Sequence, residues 1–290
     1  MFETINYSAF RKRQKSFDSE GGTIKYIDEG SGRVILLLHG IPTSGWLYRK
    51  MITPLVESGH RVIAPDMLGF GSSDSPKGYD AYREMYQAER LIDLMDSLNV
   101  KKWTHVFHDA GGLWTWELLQ KYPNRIERLI ILNTIIYKNG FKPPVRFGKN
   151  LLTKGIMKLY STKLLNGFLV NQLFKGGLTK NNLSKSDLEG YKRPLLEGKI
   201  NGLYYFFSNT CHDIKNYETV LKSLNTQSTV IWGKNDVFLL WEPQAEKVKR
   251  DLNLADENIH LIEAKHFIQE EKPKTLCDII IKNTTLKVIK

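Results

Sequence analysis

Hydrophobic and polar positions follow two rhythms along this chain. Thr23-Ile24-Lys25-Tyr26-Ile27 alternates, Glu29-Gly30-Ser31-Gly32 has the chemistry of a turn, and Val34-Ile35-Leu36-Leu37-Leu38 is an unbroken apolar run. The first pattern suits a half-covered strand and the last a strand buried on both faces. Further strands are predicted at Arg61-Val62-Ile63-Ala64, Trp103 to Phe107, Leu129-Ile130-Ile131-Leu132, Ser228-Thr229-Val230-Ile231-Trp232 and Ile259-His260-Leu261-Ile262. Helical spacing fills the intervals, at Trp46 to about Val56, Tyr82 to Leu98, a stretch with Leu113, Trp116, Leu118 and Leu119 at its apolar positions, and near Pro243 to Leu252. Strand and helix in alternation predict an α/β fold: a mostly parallel sheet with helices on both faces and ligands at its C-terminal edge.

That alternation breaks from about Tyr137 to Ser223. The interval reads as helices, such as Leu151 to Tyr160 and Lys163 to Phe174, with Gly176-Gly177 and Pro194 as breaks. A helical insertion at the ligand edge reads as a lid. The expected division is a core in two parts, residues 1–136 and 224–290, around a lid over 137–223. The apolar positions Leu152, Ile156, Leu159 and Tyr160 are expected to pack within the lid rather than against a membrane.

Composition narrows the setting. The 290 residues are enough for one large α/β domain with an insertion or for two small domains. No apolar run approaches the length that spans a bilayer, and Met1-Phe2-Glu3-Thr4-Ile5-Asn6 has no signal-peptide core, so a cytoplasmic protein without stable membrane insertion is expected. Cys211 and Cys277 lie far apart without metal-type spacing and read as reduced thiols. The net charge is +11, and residues 137–218 hold 14 Lys or Arg against 5 Asp or Glu. Such a segment suits anionic lipid, nucleic acid or an acidic substrate. With no nucleic-acid motif beside it, a solvated lysine-rich face is the plainer account, and no nucleic-acid partner is expected.

The chemistry concentrates at strand ends. A β-branched and aromatic run stops at His108-Asp109, two glycines follow, and a helix begins. That strand, tight turn and helix form an elbow that pushes Asp109 out of the sheet edge, with Gly111 giving room for the helix behind it. Where serine at an elbow attacks carbonyl carbon, a carboxylate suits saturated carbon carrying a leaving group. Asp before a helix also serves as a cap, so Asp109 alone leaves both readings open. His39-Gly40-Ile41-Pro42-Thr43-Ser44 forms a loop at the same edge, bringing backbone N–H groups near Asp109. Asp236 follows one late strand and His266 the next, in the order nucleophile, acid, histidine. Asp236 would orient His266, and His266 would activate water. The competing acid position holds Asn133, which cannot serve as a charged partner.

Taken with Ala64-Pro65-Asp66-Met67-Leu68-Gly69-Phe70-Gly71-Ser72-Ser73-Asp74, Trp232-Gly233-Lys234-Asn235-Asp236 and His266-Phe267-Ile268-Gln269-Glu270-Glu271-Lys272-Pro273, these motifs resemble the α/β-hydrolase superfamily, in its branch of haloalkane dehalogenases and epoxide hydrolases. The resemblance implies an α/β-hydrolase fold, Asp109 as nucleophile, Asp236 as acid, His266 as base, and the backbone N–H groups of Ile41 and Ala110 as oxyanion hole. It implies no metal and no organic cofactor, and a small apolar substrate. Two departures matter. Haloalkane dehalogenases usually hold the halide with tryptophan after the nucleophile and a second donor, often asparagine after the His-Gly pair; here Ala110 and Ile41 stand in those places. Epoxide hydrolases use lid tyrosines, and the lid has Tyr137, Tyr160, Tyr191, Tyr204, Tyr205 and Tyr217, of which Tyr204 and Tyr205 are the candidates. The expectation is an epoxide hydrolase-like enzyme working through an alkyl ester, with haloalkane dehalogenase as the alternative. A non-catalytic ligand-binding protein on this fold is a third reading, disfavoured by the intact triad.

Overall fold

Eight strands form one sheet in the order β1-β2-β4-β3-β5-β6-β7-β8: β1 (Lys15–Ser19), β2 (Gly22–Gly30), β3 (Arg33–Leu38), β4 (His60–Asp66), β5 (Trp103–Asp109), β6 (Ile126–Thr134), β7 (Gln227–Gly233) and β8 (Ile259–Ile262). β2 runs antiparallel to β1 and β4; every other pairing is parallel. This computed structural model describes residues 5–143, 148, 151–180 and 182–284. The opening Met1–Thr4 and residues 144–147, 149–150 and 181 of the expected lid lie outside the described residues.

The unbroken apolar runs have a direct cause. Ile35 and Leu37 of β3 and Val106 of β5 enter the hydrophobic cluster on one face, with Trp46 and Ile231. Leu36, Leu38 and Phe107 enter the other, with Trp103 and Trp116. Successive side chains point to opposite faces, so a strand covered on both sides must be apolar at every position. The covering helices are α1 (Tyr7–Arg13), α2 (Arg49–Glu57), α3 (Glu84–Ser97) and α4 (Gly111–Lys121), joined later in the chain by those that follow β7.

Between β6 and β7 the chain forms α5 (Leu151–Lys158), α6 (Lys163–Gly177), α7 (Lys185–Leu196), α8 (Asn201–Tyr205), a π turn over Phe206–Thr210, and α9 (Glu218–Ser223). After β7 come α10 (Ala245–Asp251), α11 (Ile268–Glu271) and α12 (Pro273–Thr284).

Three expectations for the β6–β7 interval change. Pro194 lies inside α7 and does not break it. It sits in the last turn, where proline forfeits a single backbone bond to Gly190, and the Pro194 carbonyl accepts from Lys199 N beyond the helix. Gly176 and Gly177 are the last residues of α6 instead of a break after it. Leu152, Ile156 and Leu159 do not pack within the lid: they stand 74%, 40% and 40% exposed, and Tyr160 is half-buried. The face of α5 turned inward carries Thr153 and Met157.

Candidate active site

Three strand ends meet at one edge of the sheet. Asp109 closes β5 with φ +52°, a left-handed backbone that a non-glycine residue adopts at a cost. The elbow is held by its own carbonyl, which accepts from Thr134 Oγ1 at 2.6 Å and Ile135 N at 3.2 Å. Crowding explains the flanking glycines. A Cβ on Gly40 would stand 2.3 Å from Asp109 Cβ, and one on Gly111 would stand 2.6 Å from the His39 carbonyl oxygen. The carboxylate is thus pressed against the loop after β3, where Ile41 N donates to Asp109 Oδ1 at 2.6 Å.

The other carboxylate oxygen faces histidine. Asp109 Oδ2 lies 3.6 Å from His266 Nε2, within ion-pair reach and beyond a direct hydrogen bond. His266 Nδ1 pairs with Asp236 Oδ2 at 2.8 Å. Asp236 is itself fixed: Oδ1 accepts from Phe238 N at 2.8 Å and Leu239 N at 3.1 Å, and Oδ2 accepts from Asn133 Nδ2 at 2.6 Å. The structure therefore brings Asp109, His266 and Asp236 together as one buried chain of contacts, with Ile41 N on its far side.

Electrostatics follow from burial and proximity. Burial raises the Asp109 carboxyl above its ordinary range, and His266 together with the backbone N–H groups of Ala110 and Ile41 offsets part of that rise. His266 experiences the opposite balance. Burial disfavours the imidazolium, but Asp236, then Asp109, more than compensate, so its pKa is raised.

Asn133 occupies the alternative acid position without a charge. Here it clamps the acid loop, donating to Asp236 and accepting from Gly233 N at 2.8 Å through Oδ1. The signal available was its place at the end of β6, next to β7 in the sheet. His108 was also missed. Its ring lies 4.5 Å from that of His266, tilted by 44°, and its Nε2 meets the His266 carbonyl at 3.0 Å, so it acts as the donor there.

The tyrosines divide. Tyr137 donates to Asp251 at 2.5 Å, Tyr217 to Glu117 at 2.8 Å, and Tyr191 to Glu270, which commits these hydroxyls to carboxylates away from Asp109. Tyr205 lies against Tyr82 and Tyr79, near Asn209 and Thr210, and burial raises its pKa. The Tyr204 ring packs 5.5 Å from that of Tyr79. A small cavity of about 10 Å³ reaches Ile41 and is walled by Trp114, Phe70, Gly202 and Tyr205. It shares Glu84, Leu113, Tyr205 and Thr210 with an outer cleft of about 640 Å³. Trp114, absent from the sequence reading as a site residue, is the large aromatic side chain that α4 contributes here.

The alpha/beta hydrolase fold family matches residues 33–273. The chain belongs to that family. A haloalkane dehalogenase of Mycolicibacterium paratuberculosis is 40% identical over 120 residues, which cover 41% of this chain and 38% of that protein. Epoxide hydrolase 4 of Mus musculus is 27% identical over 269 residues, covering 85% of this chain and 71% of the other. Among solved structures, epoxide hydrolase VrEH1 of Vigna radiata superposes with a TM-score of 0.76 at 22% identity, over 93% of this chain and 97% of that one. This α/β hydrolase thus has relatives of both kinds that its motifs resemble, and among its described residues no helix is long and apolar enough to cross a membrane.

Proposed function

We propose that this hydrolase uses Asp109 as a nucleophile on saturated carbon and opens epoxides through a covalent alkyl ester. The observation that carries the reading is the division of labour in the Asp109 carboxylate: Oδ1 is engaged by Ile41 N–H, and Oδ2 lies 3.6 Å from His266 Nε2, beyond a direct hydrogen bond. Oδ2 attacks an epoxide carbon, the ring C–O bond breaks, and the ring oxygen takes up the electron pair and then a proton. Water then gives a proton to His266 Nε2 and attacks Asp109 Cγ. Negative charge collects on Oδ1, beside the N–H groups of Ile41 and Ala110. The Cγ–Oδ2 bond breaks as His266 returns its proton to Oδ2, which departs as a hydroxyl of the diol; the water oxygen remains in Asp109, whose carboxyl proton replaces the one given to the ring oxygen.

Charge bookkeeping supports the order of steps. The Asp109 carboxylate helps to raise the pKa of His266. Esterification removes that negative charge, so the imidazole sheds its proton more readily at the stage that needs a base. Asp236 holds the resulting imidazolium.

Residues 137–223 act as the lid in this reading, with the core split into 1–136 and 224–290. Tyr204 and Tyr205 are assigned as donors to the ring oxygen, which requires at least one of them to turn from Tyr79 and Asn209 toward Asp109 when substrate binds. Ala110 and Ile41 offer a halide no side-chain donor, which favours epoxide. Haloalkane cleavage stands as the second reading because the Trp114 indole walls the cavity against Ile41. Parallel assays for diol from epoxides and for bromide from bromoalkanes test the choice, together with a single turnover in oxygen-18 water. Epoxide turnover with the label retained in Asp109 is expected. Bromide release faster than any diol formation would reverse the assignment, and label appearing first in product would remove the ester.

A further inference from the structure

The outward side of α5 and α6 is apolar and basic at once. Nine large apolar side chains stand exposed among the described residues, and five of them are Leu152, Ile156, Leu159, Leu164 and Phe168. Leu152 and Ile156 stand one helical turn apart on α5, Leu159 continues their spacing in the turn at Leu159–Ser161, and Leu164 and Phe168 follow on α6. Leu164 is 87% exposed. Both helices bury their opposite side, through Met157, Val170 and Phe174, in the cluster that contains Trp46 and Tyr191. These five fall on two consecutive helices joined by a short turn, and exposed apolar area so concentrated marks an interaction surface, whereas scattered residues do not.

Charge identifies the partner. From Arg128 to Ser186 the chain has no Asp or Glu and eleven Lys or Arg. Lys154 and Lys158 lie on α5 and Lys163 opens α6, so cations flank the apolar side chains. A polyphosphate chain would satisfy the lysines but leave the leucines in water. A protein surface would need acidic groups around an apolar recess. An anionic bilayer satisfies both, with headgroup charge for the lysines and the acyl boundary for the apolar residues. We propose that α5 and α6 seat this hydrolase reversibly on an anionic lipid surface. Helix α6 then links that surface to the site. Its last turn packs Phe174 against Phe267 at 4.5 Å, Phe267 N donates to the Gly177 carbonyl at 3.0 Å, and Phe267 follows His266. An apolar substrate dissolved in the bilayer would meet the protein at the lid.

Sedimentation with vesicles of phosphatidylcholine, with and without phosphatidylserine, tests this on the full chain without reference to turnover, so it stands or falls apart from the role of Asp109. Binding to phosphatidylserine vesicles that weakens with salt is expected. Leu164→Ser with Phe168→Ser should lower partitioning by about tenfold or more. Lys154→Gln, Lys158→Gln and Lys163→Gln should each lower it by about fivefold. All these positions are exposed, and unchanged circular dichroism and unchanged turnover of a water-soluble substrate are expected with them. The proposal is overturned if the wild type ignores phosphatidylserine vesicles or if neither group of substitutions changes binding. It is equally overturned if sedimentation velocity finds a dimer that Phe168→Ser dissolves, which would assign the face to a second copy, or if duplex DNA binds more tightly than vesicles.

Discussion

The strand-end site and the α5–α6 face spend their side chains in opposite ways. At the strand ends, polar groups are buried and nearly every one has a partner: Asp236 accepts from His266, Asn133, Phe238 N and Leu239 N. On α5 and α6, apolar groups are exposed and the cations beside them carry no balancing acid in sequence. Burial with pairing fixes geometry, because a misplaced partner leaves a desolvated polar group unsatisfied. Exposure without pairing leaves a surface that gains free energy only when something covers it. The difference teaches where a substitution should be felt as lost chemistry and where as lost association.

The largest break is expected at Asp109, the proposed nucleophile. Asp109→Ala should lower turnover by about four orders of magnitude or more while circular dichroism stays native, because nothing else begins the first step. His266→Ala should form the ester and stall, releasing no diol. Intact-mass measurement should then find the adduct on Asp109, and an adduct elsewhere would break the assignment.

A smaller but still large effect is expected on stability at Arg49. This side chain is buried with Glu270, bridges to Asp187 of α7 at 2.5 Å, and so ties α7 to the core beside α2. Arg49→Ala strands a buried carboxylate and should cost about 3–5 kcal/mol, measured by urea unfolding. Burial alone would push the Glu270 carboxyl up, but Arg49 and then Lys50 hold it below its ordinary 4.5. A group depressed in the folded state stabilises above its unfolded pKa, so this contribution is present at neutral pH and lost as pH falls below 4.5 through the folded value. The Arg49→Ala variant should therefore show a flatter acid limb than wild type.

Asn133→Ala should cost about ten- to a hundredfold in ester hydrolysis, the worth of one hydrogen bond to a charged group, and less in ester formation. Rapid-quench separation of the two steps checks this; an equal loss in both would mean that Asn133 supports the elbow as well. At the small end, Leu164→Ser should change unfolding free energy by no more than about 0.5 kcal/mol, as at an ordinary surface position. A larger loss would show that α6 hides Leu164 in the native ensemble and would erase the contrast between the regions.

These contrasts track what was legible in the sequence. The sheet, the elbow at Asp109 and the positions of Asp236 and His266 could be read because each depends on local chemistry: apolar runs, glycines, and a polar residue at a strand end. Asn133 is rightly excluded as a charged partner, but its hold on Asp236 is not legible, since its amide matters only once β6 and β7 are known to be neighbours. The Arg49–Glu270 pair joins residues far apart in sequence and leaves no local trace. On α5, periodicity revealed an apolar stripe, but it cannot say whether a stripe faces core or solvent. Thr153 and Met157 took the inward side, and the regular stripe was left outside.

One contact near His266 also bears on how such a site changes over generations. Asn133 Nδ2 meets the same carboxylate oxygen, Asp236 Oδ2, that holds the imidazole. An amide and a carboxylate that share one atom's neighbourhood are close to interchangeable in shape, so the negative charge has two addresses on adjacent strands. A lineage that acquired Asn133→Asp first and Asp236→Asn afterwards would move the charge from β7 to β6 while an oxygen acceptor stayed near His266 throughout. In the proposed mechanism the acid would be the migratory member of the trio, whereas the elbow, built around one strained backbone and its crowded glycines, leaves Asp109 a fixed address.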